Sequence, residues 1–253
     1  MSFDVAGSAY GRFMGRYSEP LAVPFTKFAG VSSGDHVLDV GCGPGALTAH
    51  LSSGTHAAHI TAVDPSPPFV EAVRQRCPEA NVHLAAAEVL PFPDDVFDVA
   101  LAELVVHFMS DPVAGLREMA RVCRPGGHVA ACVWDGATGA LGPFWEVAHA
   151  VDPSAQDESA LAGAREGHLA DLFAAAGLAT IEAGSVTVEV AHPSFDEWWE
   201  PYTLGVGPAG AYVTQLDDDA RERLATAART ALGAGPFTVS ATAWAARGSV
   251  VSG

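Results

Sequence analysis

Basic residues are scarce. Lys and Arg together number 13 against 30 Asp and Glu in a chain of 253 residues, a formal net charge of −17. A surface this acidic repels phosphodiester backbones and anionic lipid heads, so neither nucleic acid nor a membrane is an expected partner. The only close basic cluster, Arg74 and Arg76, fits one helical turn. Cysteine is sparse too. Cys42, Cys77, Cys123 and Cys132 form no C-x-x-C pair, and a chain this long needs no disulfide staples to bury a core. Met1 to Tyr10 has neither the basic nor the apolar region of a secretory leader. No uncharged apolar run approaches the ~20 residues that cross a bilayer. The expected compartment is the reduced cytoplasm.

What the chain does have is alternation. Short β-branched runs at His36–Val40, His59–Val63, Val82–Ala86, Phe97–Leu101 and His128–Trp134 alternate with helical stretches at Pro44–Leu51, Pro67–Arg76 and Val113–Val122. Strands separated by helices of about ten residues indicate βαβ units, hence a parallel sheet with helices on both faces. Ligands then bind at the carboxyl ends of the strands. Pro125-Gly126-Gly127 stops the helix before the fifth strand. Later, a helix is expected over Ser159–Ala176, and strands over Thr180–Val190 and Phe237–Ala245. The stretch 193–235 between those strands is too long to lack structure of its own. Within it, Asp217-Asp218-Asp219 reads as the capped start of a helix ending at Gly233, not as a metal site.

The most informative segment is Val37-Leu38-Asp39-Val40-Gly41-Cys42-Gly43-Pro44-Gly45. Its glycines let the backbone turn sharply and a ligand approach the main chain, and the next helix offers unpaired N–H groups there. Asp64 ends the second strand, where a carboxylate can accept hydrogen bonds from both hydroxyls of a ribose. A dinucleotide and a cationic amino-acid nucleoside both fit so far. Asp39 separates them. A carboxylate just before the turn, facing the bound group, repels a pyrophosphate and welcomes an ammonium or sulfonium.

With Ala62-Val63-Asp64-Pro65-Ser66, Glu88-Val89-Leu90-Pro91-Phe92, Phe97-Asp98-Val99 and Arg124-Pro125-Gly126-Gly127 in order, the chain resembles a class I S-adenosylmethionine-dependent methyltransferase. The likeness, over about residues 10–135, is to the small-molecule type that includes ubiquinone and menaquinone methyltransferases. It implies one α/β domain over 1–253 with a Rossmann-like, doubly wound, seven-stranded and mostly parallel sheet, the last strand antiparallel. It also implies S-adenosylmethionine as cofactor, held by Asp39, Gly41, Cys42 and Gly43 at its methionine end and by Asp64 at its ribose. Adenine falls near Pro65, Ala87 and Glu88, and Leu104 completes the site. Family members often carry an aspartate for the adenine amino group where this chain has Ala86, which leaves Ala87 backbone groups or the Glu88 carboxylate. An N-terminal lid over 1–35 is implied as well, with Tyr10 and Arg16 covering the cofactor carboxylate.

For the acceptor, His107 follows the fourth strand, where substrates enter. It reads either as a base or orienting residue, or as a histidine packed at a helix start. Phe108, Trp145, Trp198 and Trp199 are candidate pocket aromatics. The insertion over 193–235 is either a helical cap over a small-molecule acceptor or a contact for a homodimer. No metal site is expected, since the Glu103/His107 pair has no third ligand nearby. The expected reaction moves a methyl group to an O, N or C nucleophile. The alternatives are a nicotinamide-dependent oxidoreductase and a non-catalytic cofactor-binding module.

Overall fold

The computed structural model describes residues 11–54 and 59–251. Tyr10 lies outside the described residues. A single π-turn over Gly11–Gly15 leads into α1 (Arg16–Ala29), which ends where Gly30 takes a left-handed conformation. Then come β1 (Val37–Val40), α2 (Ala46–Gly54), β2 (Ile60–Asp64), α3 (Pro67–Arg76), β3 (Asn81–Leu84), β4 (Phe97–Glu103), α4 (Pro112–Val122) and β5 (Cys123–Trp134). The second half holds α5 (Gly142–Val151), α6 (His168–Ala175), β6 (Ala179–His192), α7 (Phe195–Trp199), α8 (Gly207–Gln215), α9 (Asp218–Leu232) and β7 (Phe237–Ser249).

The seven strands form one sheet in the order β3-β2-β1-β4-β5-β7-β6. All neighbours pair parallel except β7, which runs antiparallel to β5 and to β6. The doubly wound sheet expected from sequence is the one observed. Every residue of β1 and β2 is buried, as central parallel strands require, because helices cover both faces. Val37 and Leu101 face one core, which α1, α5 and the insertion helices complete. Leu38, Val40, Ala100 and Ala102 face the other, closed by α4 and α6. Strand order reverses between β1 and β4, so the crevice at their carboxyl ends is where a ligand fits.

Local chemistry starts the helices. Pro67 and Pro112 stand at first helical positions, where the missing N–H costs nothing. Asp111 and Asp217 cap α4 and α9, their carboxylates accepting from the Ala114 and Ala220 amides at 3.0 and 2.7 Å. The helix expected over Ser159–Ala176 is shorter, beginning only at His168. Gly163 and Gly167 sit at φ +83° and +78°, and left-handed residues interrupt a right-handed helix. Arg124-Pro125-Gly126-Gly127 belongs to β5, with a register shift opposite Phe97 and Val99.

Candidate functional site

The ends of β1, β2 and β4 open into one cleft. Its walls include Gly41, Gly43, Asp64, Pro65, Ala87, Glu88, Leu104 and Phe108, so eight residues singled out from sequence meet there. Gly41 and Gly43 have φ of +71° and +52°, a region that favours glycine. An added methyl group on Gly43 would meet open space, so this turn leaves room for a ligand to lie along the main chain.

The amides of the turn are already engaged. Gly41 N and Cys42 N both donate to Val63 O at 2.8 and 3.0 Å, and Gly45 N donates to Cys42 O at 2.9 Å. Gly43 N donates to Asp64 Oδ2 at 2.9 Å, and Ser66 N donates to Asp64 Oδ1 at 2.8 Å. These four amides of the turn are therefore spent on protein acceptors. Asp64 is buried, which raises its carboxyl above the usual range, while the Ser66 and Gly43 amides pull it back.

Asp39 is placed differently from expectation. It is only 1% exposed, is not part of the cleft wall, and accepts a 2.5 Å bond from Thr48 Oγ1 at the start of α2. The Thr48 hydroxyl on α2 holds one oxygen of its carboxylate. Burial pushes its pKa up to about 7 against the bond from Thr48. The folded chain then holds a proton that the unfolded chain has lost above its ordinary value near 4. Its contribution to stability is full below that value and falls away as pH rises toward 7. Asp39→Asn removes the titration and keeps an oxygen for Thr48. Between pH 5 and pH 8.5 its stability relative to the parent protein is expected to gain about 3 kcal/mol, read from thermal midpoints. A difference that is the same at both pH values would contradict this burial account.

The acid that does stand in the cleft wall is Glu103, the last residue of β4. Both of its carboxylate oxygens are closed off from solvent and have no hydrogen-bond partner among the described residues. Burial holds its carboxyl well above the ordinary range, and nearby Asp39 adds to the rise. Cys42 packs behind the turn beside Val70 and Val73, and its thiol is pushed up by burial and by the neighbouring acids. Glu88 lines the cleft, but its Oε1 accepts from the Ser110 and Asp111 amides at 2.7 and 3.3 Å. Arg16 points elsewhere. It forms an ion pair with Glu197 and lies 3.1 Å from His192 Nδ1, joining α1 to the insertion rather than to the cleft. Tyr17 Oη adds a 2.9 Å bond to His192 Nε2.

A second, mostly apolar cavity adjoins the cleft, and Leu104 and Phe108 belong to the walls of both. Leu104 sits at φ +60°, an uncommon conformation for a branched side chain and one that concentrates at functional sites. His107 lines this cavity with Trp134, Trp145 and Glu158. Its Nδ1 is buried without a partner, and burial lowers its pKa to about 4, so the ring is neutral near pH 7. Glu158, a residue sequence reasoning passed over, is raised to about 7 by burial. The Trp145 indole opposes part of that rise without making a properly formed hydrogen bond. Trp198 and Trp199 do not line the cavity. Trp198 is buried in a cluster with Phe195 and Tyr202, and Trp199 is half-buried against Phe144.

Residues 38–131 match the family model described as a methyltransferase domain. That segment is similar to the class I S-adenosylmethionine-dependent methyltransferases. The chain is 34% identical over 110 residues to an uncharacterized methyltransferase of Schizosaccharomyces pombe, covering 39% of this chain and 40% of that one. It is 32% identical over 146 residues to a malonyl-[acyl-carrier protein] O-methyltransferase of Serratia marcescens, covering 55% and 56%. The chain thus spans about half the length of the curated relatives it matches, or less. A SAM-dependent methyltransferase of Thermotoga maritima has the same fold, with TM-score 0.59 and 19% identity over 96% of this chain and 95% of that one. S-adenosylmethionine is the cofactor of that family, and the cleft has features that suit it: open space over Gly43, a carboxylate at Asp64 where β2 ends, and an unpaired acid at Glu103.

Proposed function

We propose that this protein moves the methyl group of S-adenosylmethionine to a small, largely apolar molecule held in the cavity behind Leu104 and Phe108. The observation that carries the reading is the shared wall: cofactor cleft and apolar cavity meet at those two residues. Asp64 takes the ribose hydroxyls, the Pro65 and Ala87 region flanks the base, and Gly41 and Gly43 lie under the amino-acid end. When bound, the cofactor supplies a methyl group on a sulfonium, already activated for in-line displacement.

The protein's own contribution is position, dryness and a proton acceptor. Apolar walls exclude water from the acceptor, and holding two reactants in line supplies much of a displacement's rate. His107, neutral near pH 7, takes the acceptor's proton at Nδ1, which has no other partner, in the tautomer that carries its hydrogen on Nε2. A base so placed serves a hydroxyl nucleophile best, because an oxygen must lose its proton, whereas a neutral amine attacks without help. The Serratia relative is named as an O-methyltransferase, which supports an oxygen acceptor. Helices α7, α8 and α9 act as the cap: Val206, Gly207 and Pro208 complete the cavity wall.

Calorimetry with S-adenosylmethionine, S-adenosylhomocysteine and NAD, followed by methylation assays on a panel of small apolar hydroxy compounds, tests this reading. Both sulfur nucleosides are expected to bind and NAD is not. Binding of NAD alone would overturn the reading. Binding of the donor without turnover on any acceptor would reduce the protein to a cofactor-binding module.

A further inference from the structure

We infer that the Glu103 side chain is the counter-charge for the α-ammonium group of the bound amino-acid nucleoside, a role that Asp39 suggests from sequence but does not fill. The inference rests on the cofactor reading above. It begins from an unusual feature: a carboxylate whose two oxygens are both closed to water and both without a donor. Leaving such a group unpaired in a folded protein is costly, and acids are almost never buried without a partner. The described residues supply none. The partner is then a ligand group, and the cleft that Glu103 lines is where a ligand enters.

Position along the cleft decides which part of the ligand. Along the carboxyl edge of the sheet Asp64 closes β2, Gly41 follows β1 and Glu103 closes β4, so β1 lies between the two acids. A nucleoside whose ribose reaches Asp64 directs its amino-acid tail toward Glu103. Two cations are carried by that tail, and hydrogen bonding separates them. A sulfonium has no N–H, so it cannot satisfy a carboxylate's lone pairs. An ammonium has three, enough for both oxygens. Asp39 cannot compete, because its carboxylate is buried against Thr48. Burial also keeps Glu103 protonated more readily than an exposed acid, so an arriving ammonium draws out the charged form.

Calorimetry on Glu103→Gln tests this, with S-adenosylhomocysteine, its deamino analogue and S-adenosylmethionine as the three probes. Glutamine keeps the shape and removes the charge. The Glu103→Gln variant is expected to bind S-adenosylhomocysteine about 10–100-fold more weakly than the parent, the range for a hydrogen bond to a charged group. The deamino analogue is expected to bind both proteins alike within twofold. S-adenosylmethionine should lose the same factor as S-adenosylhomocysteine, because the sulfonium is not the partner. Equal weakening of all three probes would make Glu103 a structural residue. Weakening of S-adenosylmethionine alone would assign Glu103 to the sulfonium, and no weakening at all would leave it a buried neutral acid; each result overturns the inference. Should no probe bind even the parent protein, the cofactor reading itself has failed, which is a separate outcome. The variant removes no hydrogen bond, so its thermal midpoint should match or exceed the parent's. If it does not fold, Glu103→Asp, with its charge drawn back by one methylene, is expected to narrow the preference for S-adenosylhomocysteine over the deamino analogue. An unchanged preference in that variant would also count against the assignment.

Discussion

Replacing His107 by alanine is expected to lower turnover about 10²–10⁴-fold, the range for loss of a positioned general base, while cofactor affinity stays within twofold. The split follows from where the ring lies. His107 lines the apolar cavity and is not part of the cleft that holds Gly43 and Asp64. Its Nδ1 has no protein partner, so removal breaks no hydrogen bond at that atom. With its pKa lowered to about 4 by burial, the ring is already bare from pH 6 to 8. Turnover of the parent protein should therefore show no inflection at the ordinary histidine value, and an acid limb, if reached before unfolding, should lie below pH 5. Single-turnover assays with calorimetric cofactor titrations check both statements. A variant with parental turnover, or a rate profile that titrates near 6.5, would make His107 a packing residue only.

How much of this was legible from the chain depended on which contacts decide each feature. The sheet was legible because local pattern decides it: β1 and β2 are short apolar runs buried on both sides, and Pro67 marks the start of the helix after β2 chemically. Helix α5 was not, since its apolar residues Phe144, Trp145, Val147 and Ala148 surround much of the helix and blur the period that marks an amphipathic one. The cleft residues after β1, β2 and β4 were legible from the motifs and the family resemblance they carry. The direction of the acidic side chains was not. Asp39 and Glu103 lie on the same face of adjacent strands by alternation, but only the position of Thr48 shows which carboxylate is captured. One available signal was passed over: Glu103 is an acid closing the apolar run Val99-Ala100-Leu101-Ala102, a place where an acid demands a partner. Arg16 was likewise misdirected, because Glu197 and His192 are remote in sequence and reach it only after β6 and α7 pack on α1.

Gly41→Ala is expected to destabilise the protein by about 2–5 kcal/mol and to abolish tight cofactor binding together with it. Two costs combine. A residue with a side chain at φ +71° carries left-handed strain of about 1–2 kcal/mol. The new methyl group would also collide with Val105, lying 2.7 Å from its Cβ and still nearer to Cγ2. Overpacking of that kind costs about 1–3 kcal/mol. Valine is branched at Cβ and has few rotamers to escape into. Val105 is itself part of the cleft wall, so whatever relief it finds comes by moving into the space the cofactor needs. Gly43→Ala makes the contrast. Its φ of +52° carries similar strain, yet the added methyl group meets nothing within 4 Å, so only the strain is charged to folding. Denaturant unfolding of the two variants beside calorimetry with S-adenosylhomocysteine measures the difference. Equal destabilisation by the two substitutions would mean that Val105 yields freely and that close packing against Gly41 does not shape the cleft.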